Sequence, residues 1–267
     1  MSKNSKVLAL KYRPQVFEDI IGQNISIQTI FNSIKSKKVP NAYLFTGIRG
    51  VGKTTIARIV AKSLNCKNGI EKLCKNNFCE NCKNISDSNH IDVLEMDAAS
   101  KTGVDDVRDL IDFSRYGPTM AKYKIFIIDE VHMLSKQAFN ALLKTLEEPP
   151  KHVKFVFATT EANKVLPTIV SRCQRFEFRS IPVDLIVDKL SQICDVEKIK
   201  VDQEALNAIA RMAQGGMRDA QSILDQMISF CGKEIKQENV LEVYGLVARE
   251  RIVKLGDHIF EGNFLKD

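Results

Sequence analysis

A glycine run set between an apolar, strand-like segment and a helix-like one constrains this chain more than any other feature. Gly47-Ile48-Arg49-Gly50-Val51-Gly52-Lys53-Thr54-Thr55 follows Ala42-Tyr43-Leu44-Phe45 and precedes Ile56-Ala57-Arg58-Ile59-Val60-Ala61. The run fits G-x-x-x-x-G-K-[ST] in the strand, loop, helix context that a phosphate cradle requires. Gly47, Gly50 and Gly52, with Val51 between the last two, let backbone N–H groups turn inward around an anion. The helix N-terminus adds partial positive charge, Lys53 neutralises terminal phosphates, and Thr54, next to Thr55, can hold magnesium. That chemistry suits a nucleoside triphosphate, but it does not say what hydrolysis would drive.

The remaining sequence predicts an α/β fold around this loop. Short apolar runs at Ala42–Thr46, Ile91–Met96, Lys124–Asp129, Lys154–Thr159 and Arg175–Phe178 alternate with helical patterns, the signature of a five-stranded parallel sheet covered on both faces. Phe139, Leu142, Leu143 and Leu146 recur at helical spacing behind the candidate N-cap Ser135, and Pro149-Pro150 ends that helix. Strand signals stop after Ile181-Pro182, and Leu206, Ile209, Ala210 and Ala213 open a series of amphipathic helices. We therefore expect a nucleotide-binding domain over 1–180, a small all-α domain over 181–235, and over 236–267 the start of a third, incomplete helical domain. Its helices are expected at about Gln237 to Tyr244 and Ala248 to Phe260.

Composition narrows the class. With 267 residues, 44% apolar and 27% charged, the chain has the make-up of a globular protein, and its net charge of +6 mildly favours a polyanionic partner. No apolar run reaches the roughly 20 residues of a membrane span, and the N-terminus lacks a signal-peptide pattern, so a cytoplasmic protein is expected. Seven cysteines in a reducing compartment point to metal binding where they cluster. Cys66, Cys74, Cys79 and Cys82 do so, spaced C-x7-C-x4-C-x2-C in a polar segment, about 64–88, that a zinc ion would staple. Cys173, Cys194 and Cys231 are scattered and read as small buried apolar residues.

A second constellation lies at Ile125-Phe126-Ile127-Ile128-Asp129-Glu130, an apolar strand ending in two carboxylates. In a parallel sheet it ends on the same edge as the phosphate loop. Asp129 can then organise magnesium and Glu130 can orient and polarise attacking water. Thr159 and Thr160 end the next strand, where a hydroxyl could reach a terminal phosphate, although capping is an equally ordinary role. His132 follows the acidic pair and could sit near the nucleotide, but by residue type it reads as structural, Arg172 of Ser171-Arg172-Cys173 as a surface ion-pair residue, and Arg218 of Gly215-Gly216-Met217-Arg218-Asp219 as part of a helix start.

The order of these elements resembles the AAA+ ATPases. In detail, Lys11-Tyr12-Arg13-Pro14-Gln15-Val16-Phe17, Asp129-Glu130-Val131-His132-Met133-Leu134, Asn140 to Pro150, Ser171-Arg172-Cys173 and Arg218-Asp219-Ala220 are similar to the bacterial DNA polymerase III gamma/tau subunits, from about Leu8 to about Gln226. The resemblance implies an ATPase of the polymerase III holoenzyme. In the family, subunits bind ATP or ADP with Mg2+, form an open ring with other clamp-loader subunits, and load the sliding clamp on primer-template DNA. By motif, Thr159 corresponds to a first sensor, Arg172 to a finger reaching a neighbour's nucleotide, and Arg218 to a second sensor. The segment Tyr12, Arg13, Pro14 corresponds to the base-binding region. Lys101 and Lys144 are expected on helices facing DNA phosphates. The middle cysteine pair departs from the usual C-x2-C, so a reshaped loop around a retained zinc site is expected. The family's helical collar would continue beyond Asp267, so we expect a truncated, mostly monomeric chain whose full-length form joins a ring. A non-catalytic ring member and a helicase or remodelling ATPase are the alternatives. Intact Lys53-Thr54 and Asp129-Glu130 oppose the first, and the cysteine segment opposes the second.

Overall fold

The structure, a computed structural model, describes residues 7–75 and 78–245. In chain order the elements are α1 (Leu8–Lys11), α2 (Asn24–Lys35), β1 (Ala42–Gly47), α3 (Lys53–Asn65), α4 (Glu80–Ser86), β2 (Val93–Asp97), α5 (Val104–Ser114) and β3 (Lys124–Asp129). They continue with α6 (Lys136–Glu147), β4 (Val153–Thr159), α7 (Pro167–Val170), β5 (Gln174–Phe178), α8 (Val183–Glu197), β6 (Lys200–Val201), α9 (Gln203–Met212), α10 (Met217–Cys231), β7 (Glu234–Ile235) and α11 (Gln237–Tyr244). The chain divides into two compact units, and residues 12–182 with 215–218 form one of them.

In this unit β1 to β5 make one parallel sheet in the order β2-β3-β4-β1-β5. Its central strands β1, β3 and β4 are almost continuously apolar because helices cover both faces. Side chains alternate across the sheet. Leu44, Phe126, Ile128, Phe155 and Phe157 meet Val107 of α5 and Ala138, Phe139, Leu142 and Leu146 of α6 in one buried cluster. Within it Phe155 stacks on Phe126 at 5.3 Å and on Phe157 at 5.7 Å between ring centroids. On the other face Tyr43 and Phe45 pack with Phe176 and Phe178 of β5. Ser135 caps α6 as its sequence suggests, its hydroxyl accepting the Ala138 N–H at 3.2 Å.

The second unit takes residues 7–11, 183–214 and 219–245. Helices α8, α9 and α11 pack through Ile186, Leu190, Ile193, Leu206, Ile209 and Val240, all buried. It also contains a parallel pairing of β6 with β7, Lys200 opposite Glu234 and Val201 opposite Ile235. At two residues per strand this ladder is too short to carry an alternating pattern, so the sequence reads as helices alone. Helix α11 forms where the sequence predicts it, whereas the helix expected at Ala248 to Phe260 lies outside the described residues. No helix among the described residues is long and apolar enough to cross a membrane.

Candidate active site

The glycine loop joins the carboxyl end of β1 to the start of α3. Gly47 has φ 146°, and a Cβ there would lie 2.4 Å from the Phe178 carbonyl oxygen, so no larger residue fits. Gly52, at φ 107°, immediately precedes α3 and turns the chain into it. Lys53 is buried, and its Nζ donates to the Gly47 and Ile48 carbonyls at 2.8 and 2.9 Å. Burial lowers its pKa, and the carboxylates of Glu130 and Asp129 oppose that shift. The loop thus holds a desolvated cation at the N-terminus of a helix. The Thr54 hydroxyl donates to Asp129 Oδ2 at 2.5 Å, joining the start of α3 to the end of β3.

Glu130 follows β3 in a left-handed backbone conformation, φ 46° and ψ 45°. This is strained for a non-glycine residue by about 1 kcal/mol or more. The turn brings its Oε2 to Thr160, which donates both its backbone N–H at 3.0 Å and its hydroxyl at 2.9 Å. Of the two hydroxyls at the end of β4, Thr160 therefore holds Glu130. Thr159 is fully buried, opposite Thr46 in the β1–β4 register; its Oγ1 accepts the Glu161 N–H at 3.0 Å and lies 2.9 Å from His132 Nδ1. The His132 ring continues the network, with Nδ1 3.4 Å from Glu130 Oε2 and Nε2 3.3 Å from Glu161 Oε1. His132 is thus a bridge between both strand ends, a role that sequence adjacency alone does not disclose.

Two of the three singled-out arginines come to the loop. Arg13 Nε donates to Thr55 Oγ1 at 3.1 Å, and burial, helped by the nearby Arg58 cation, lowers its pKa to about 10. Tyr12 and Pro14 flank it, half-buried. The Arg218 backbone N–H donates to the Gly50 carbonyl at 3.2 Å, and its charge is close enough to Arg13 to disfavour two cations. Arg172 lies elsewhere: it donates to the Thr168 carbonyl at 2.6 Å and pairs with Glu147 at 2.5 Å, with no bond to the phosphate loop. Lys101 and Lys144 are both exposed, but only Lys144 is on a helix, α6. Lys101 occupies the loop before α5, because that helix begins only after Gly103.

The four clustered cysteines form a separate centre. Cys66 follows α3, Cys74 lies in the connecting loop, and Cys79 and Cys82 stand before and within α4. Their sulfurs all lie within 4.8 Å of one another, with Cys66 3.6 Å from Cys74 and 4.0 Å from Cys79. These separations exceed any disulfide and approach the edge of a tetrahedron with Zn–S bonds of about 2.3 Å, about 3.8 Å. Four thiol donors at that spacing fit zinc. Burial pushes the Cys66 and Cys82 thiols up. At Cys79 it is outweighed by backbone N–H groups, those of Cys82 and Lys67 foremost, which hold this thiol at about 7. Of the remaining cysteines Cys194 is buried as expected, whereas Cys173 and Cys231 are partly exposed, against the expectation of burial.

Comparison with known proteins places this geometry in a family. The family model described as DNA polymerase III, delta subunit matches residues 22–182, and the DNA polymerase III clamp loader subunit, ATPase lid domain, matches residues 185–233. The chain is 48% identical over 253 residues to DNA polymerase III subunit tau of Bacillus subtilis, covering 94% of this chain and 45% of that protein. It is 45% identical over 251 residues to DNA polymerase III subunit gamma of Buchnera aphidicola subsp. Baizongia pistaciae, covering 94% and 67%. The chain therefore spans less than half the length of the tau relative. In fold it is similar to the RuvB Holliday junction branch migration motor of Thermotoga maritima, with a TM-score of 0.62 at 17% identity over 86% of this chain and 71% of that one. The parallel sheet, the cysteine cluster able to hold a metal and the helical lid match the AAA+ architecture expected from the sequence. The chain belongs to the DNA polymerase III gamma/tau family.

Proposed function

We propose that this chain is an ATP-hydrolysing motor subunit of a clamp loader, coupling ATP binding and hydrolysis to placement of a sliding clamp on primed DNA. The observation that carries the reading is the convergence of Lys53, Thr54, Asp129 and Glu130 on one sheet edge, joined by the Thr54–Asp129 hydrogen bond. Backbone N–H groups of the glycine loop and the α3 N-terminus receive the phosphates. Lys53 exchanges its two loop carbonyls for phosphate oxygens. Thr54 and Asp129 are the residues that would hold magnesium, which supplies charge neutralisation to the phosphates when bound. Glu130, positioned by Thr160, orients the attacking water and polarises it, and buried Thr159 fixes His132 beside Glu130. Arg13, with Tyr12 and Pro14, closes over the base-side of the site, and Arg218 senses the phosphates from the start of α10.

Arg172 acts on a neighbouring subunit in this reading. Its bonds to Thr168 and Glu147, away from its own phosphate loop, support that assignment. Partners are then other loader subunits in a ring, the sliding clamp, and primer-template DNA contacted through phosphates by exposed lysines such as Lys101 and Lys144. The domains in this reading are a nucleotide-binding domain at 1–180 with a zinc module at about 64–88, a lid at 181–235 and a collar beginning at 236; the matched spans 22–182 and 185–233 support the first and second of these. The test is steady-state ATP hydrolysis by the full-length protein with and without the other loader subunits, clamp and primed DNA. The reading expects slow turnover alone and a rise of about 10³-fold or more on assembly, the scale of an arginine finger. Equal rates in both conditions would reject it.

A further inference from the structure

The cysteine centre and the phosphate loop are tied through one side chain that neither site uses directly. Gln15 Oε1 accepts hydrogen bonds from Lys62 Nζ at 3.1 Å and from the Ser86 hydroxyl at 3.0 Å. Its Nε2 donates to the Arg13 carbonyl at 3.1 Å, and its own carbonyl accepts a second bond from Lys62 at 2.9 Å. Ser86 ends α4, the helix that carries Cys82, and Lys62 lies on α3 one turn before Cys66. On the other side of Gln15, Arg13 reaches Thr55 in the first turn of that same helix. All four bonds of the Gln15 hub lie within one compact unit and connect consecutive groups without a gap.

This connection has a physical consequence. Segment 12–15 crosses α3 in an irregular conformation with no helix or strand ladder of its own, so its position depends on side-chain bonds. The α4 end of the hub belongs to a short, polar helix of 7 residues, too short to be stable by itself. The sulfur cluster helps to fix that helix, since Cys79 and Cys82 bracket its first turn, beside buried Ile85 and the Asn81 amide, which donates to the Asn65 carbonyl at 2.9 Å. Ordering the cluster therefore adds to the ordering of Ser86, and through Gln15 to that of the Arg13 backbone.

We propose that the cysteine centre is an energetic anchor for the nucleotide-gripping segment, with Gln15 as the positioning residue, so that metal loading and nucleotide binding are thermodynamically coupled. The proposal rests on the nucleotide reading of the phosphate loop. Coupling of this kind is reciprocal, and the same factor must appear in both directions.

The test uses the 267-residue chain, with ADP plus magnesium as one probe and zinc as the other. ADP affinity is measured by calorimetry on zinc-loaded and chelator-stripped protein, and zinc affinity by competition with a chromophoric chelator with and without ADP. The expected result is a loss of ADP affinity of about 5-fold or more on stripping, mirrored by an equal gain in zinc affinity when ADP is present. In the zinc-loaded state, Gln15→Glu keeps the acceptor for Lys62 and Ser86 but loses the donor to Arg13. It should bind zinc normally, bind ADP several-fold more weakly, and show no mutual effect. Gln15→Ala should behave likewise. Equal ADP affinity in loaded and stripped protein that retains its far-UV circular dichroism would overturn the coupling and leave the nucleotide reading standing. If stripping unfolds the chain, wild-type ADP affinity in both zinc-loaded Gln15 variants would overturn the positioning role. No ADP binding by the zinc-loaded wild type would overturn both readings.

Discussion

Glu130 shows how much one backbone angle can decide. Its left-handed φ of 46° turns the carboxylate away from the strand axis and onto the paired donors of Thr160. Asp129, one residue earlier, is still in the strand and meets Thr54 instead. Two adjacent carboxylates thus acquire different partners. Glu130→Gln should lower ATP turnover by about 10²-fold or more, the usual scale for losing a general base, with ATP affinity little changed; rapid-quench and equilibrium titration of the same variant separate the two effects. Asp92 makes a second residue-scale case. Burial favours its neutral form, but three backbone N–H groups, from Thr119, Met120 and Ala121 at 2.7 to 2.9 Å, outweigh this and hold its pKa below the usual carboxylate range. Its stabilisation is therefore present above the unfolded pKa of about 4 and is lost as pH falls through the lower folded value. Asp92→Asn should cost about 1–3 kcal/mol in urea denaturation at neutral pH, and the gap to wild type should narrow near pH 3. At this scale the sequence discloses residues whose partners are adjacent or set by a motif. Lys53, Thr54 and the acidic pair belong to that class. The linking roles of Thr160, His132 and Gln15 do not, because their partners come from other strands and helices.

Among the elements, α6 was the most legible and the lid ladder the least. Its spacing of Phe139, Leu142 and Leu146 behind Ser135 becomes a capped helix with those residues buried against the sheet. Ser135→Ala should destabilise by about 1 kcal/mol through the lost cap. Leu142→Ala, at a position with no exposure, should cost about 2–5 kcal/mol. Thermal or chemical denaturation of the two variants distinguishes these magnitudes, and equal effects would contradict the assigned depths. Strands β1, β3 and β4 were equally readable because each is a continuous apolar run. The β6–β7 pairing rests on two residues from each strand and is set by the chain's return after α10, which no local pattern records. Lys101 shows the limit in another way: charge marks an exposed lysine, but only the N-terminal boundary of α5 decides whether it lies on a helix.

For the whole molecule, the strands converge their carboxyl ends on the glycine loop while α3 runs from that loop to the first cysteine of the metal centre. One helix therefore carries Lys53 and Thr54 at its start and Cys66 just past its end. The proposed nucleotide site at this edge of the sheet is built around Lys53. The most direct measurement is calorimetric titration of ATP with magnesium into the chain and into Lys53→Ala. We predict saturable binding at one site per chain, and a loss of affinity in the variant of about 10-fold to 150-fold, the value of a charge-assisted contact. Absence of saturable binding, or unchanged affinity in Lys53→Ala, would exclude a nucleotide site built on Lys53.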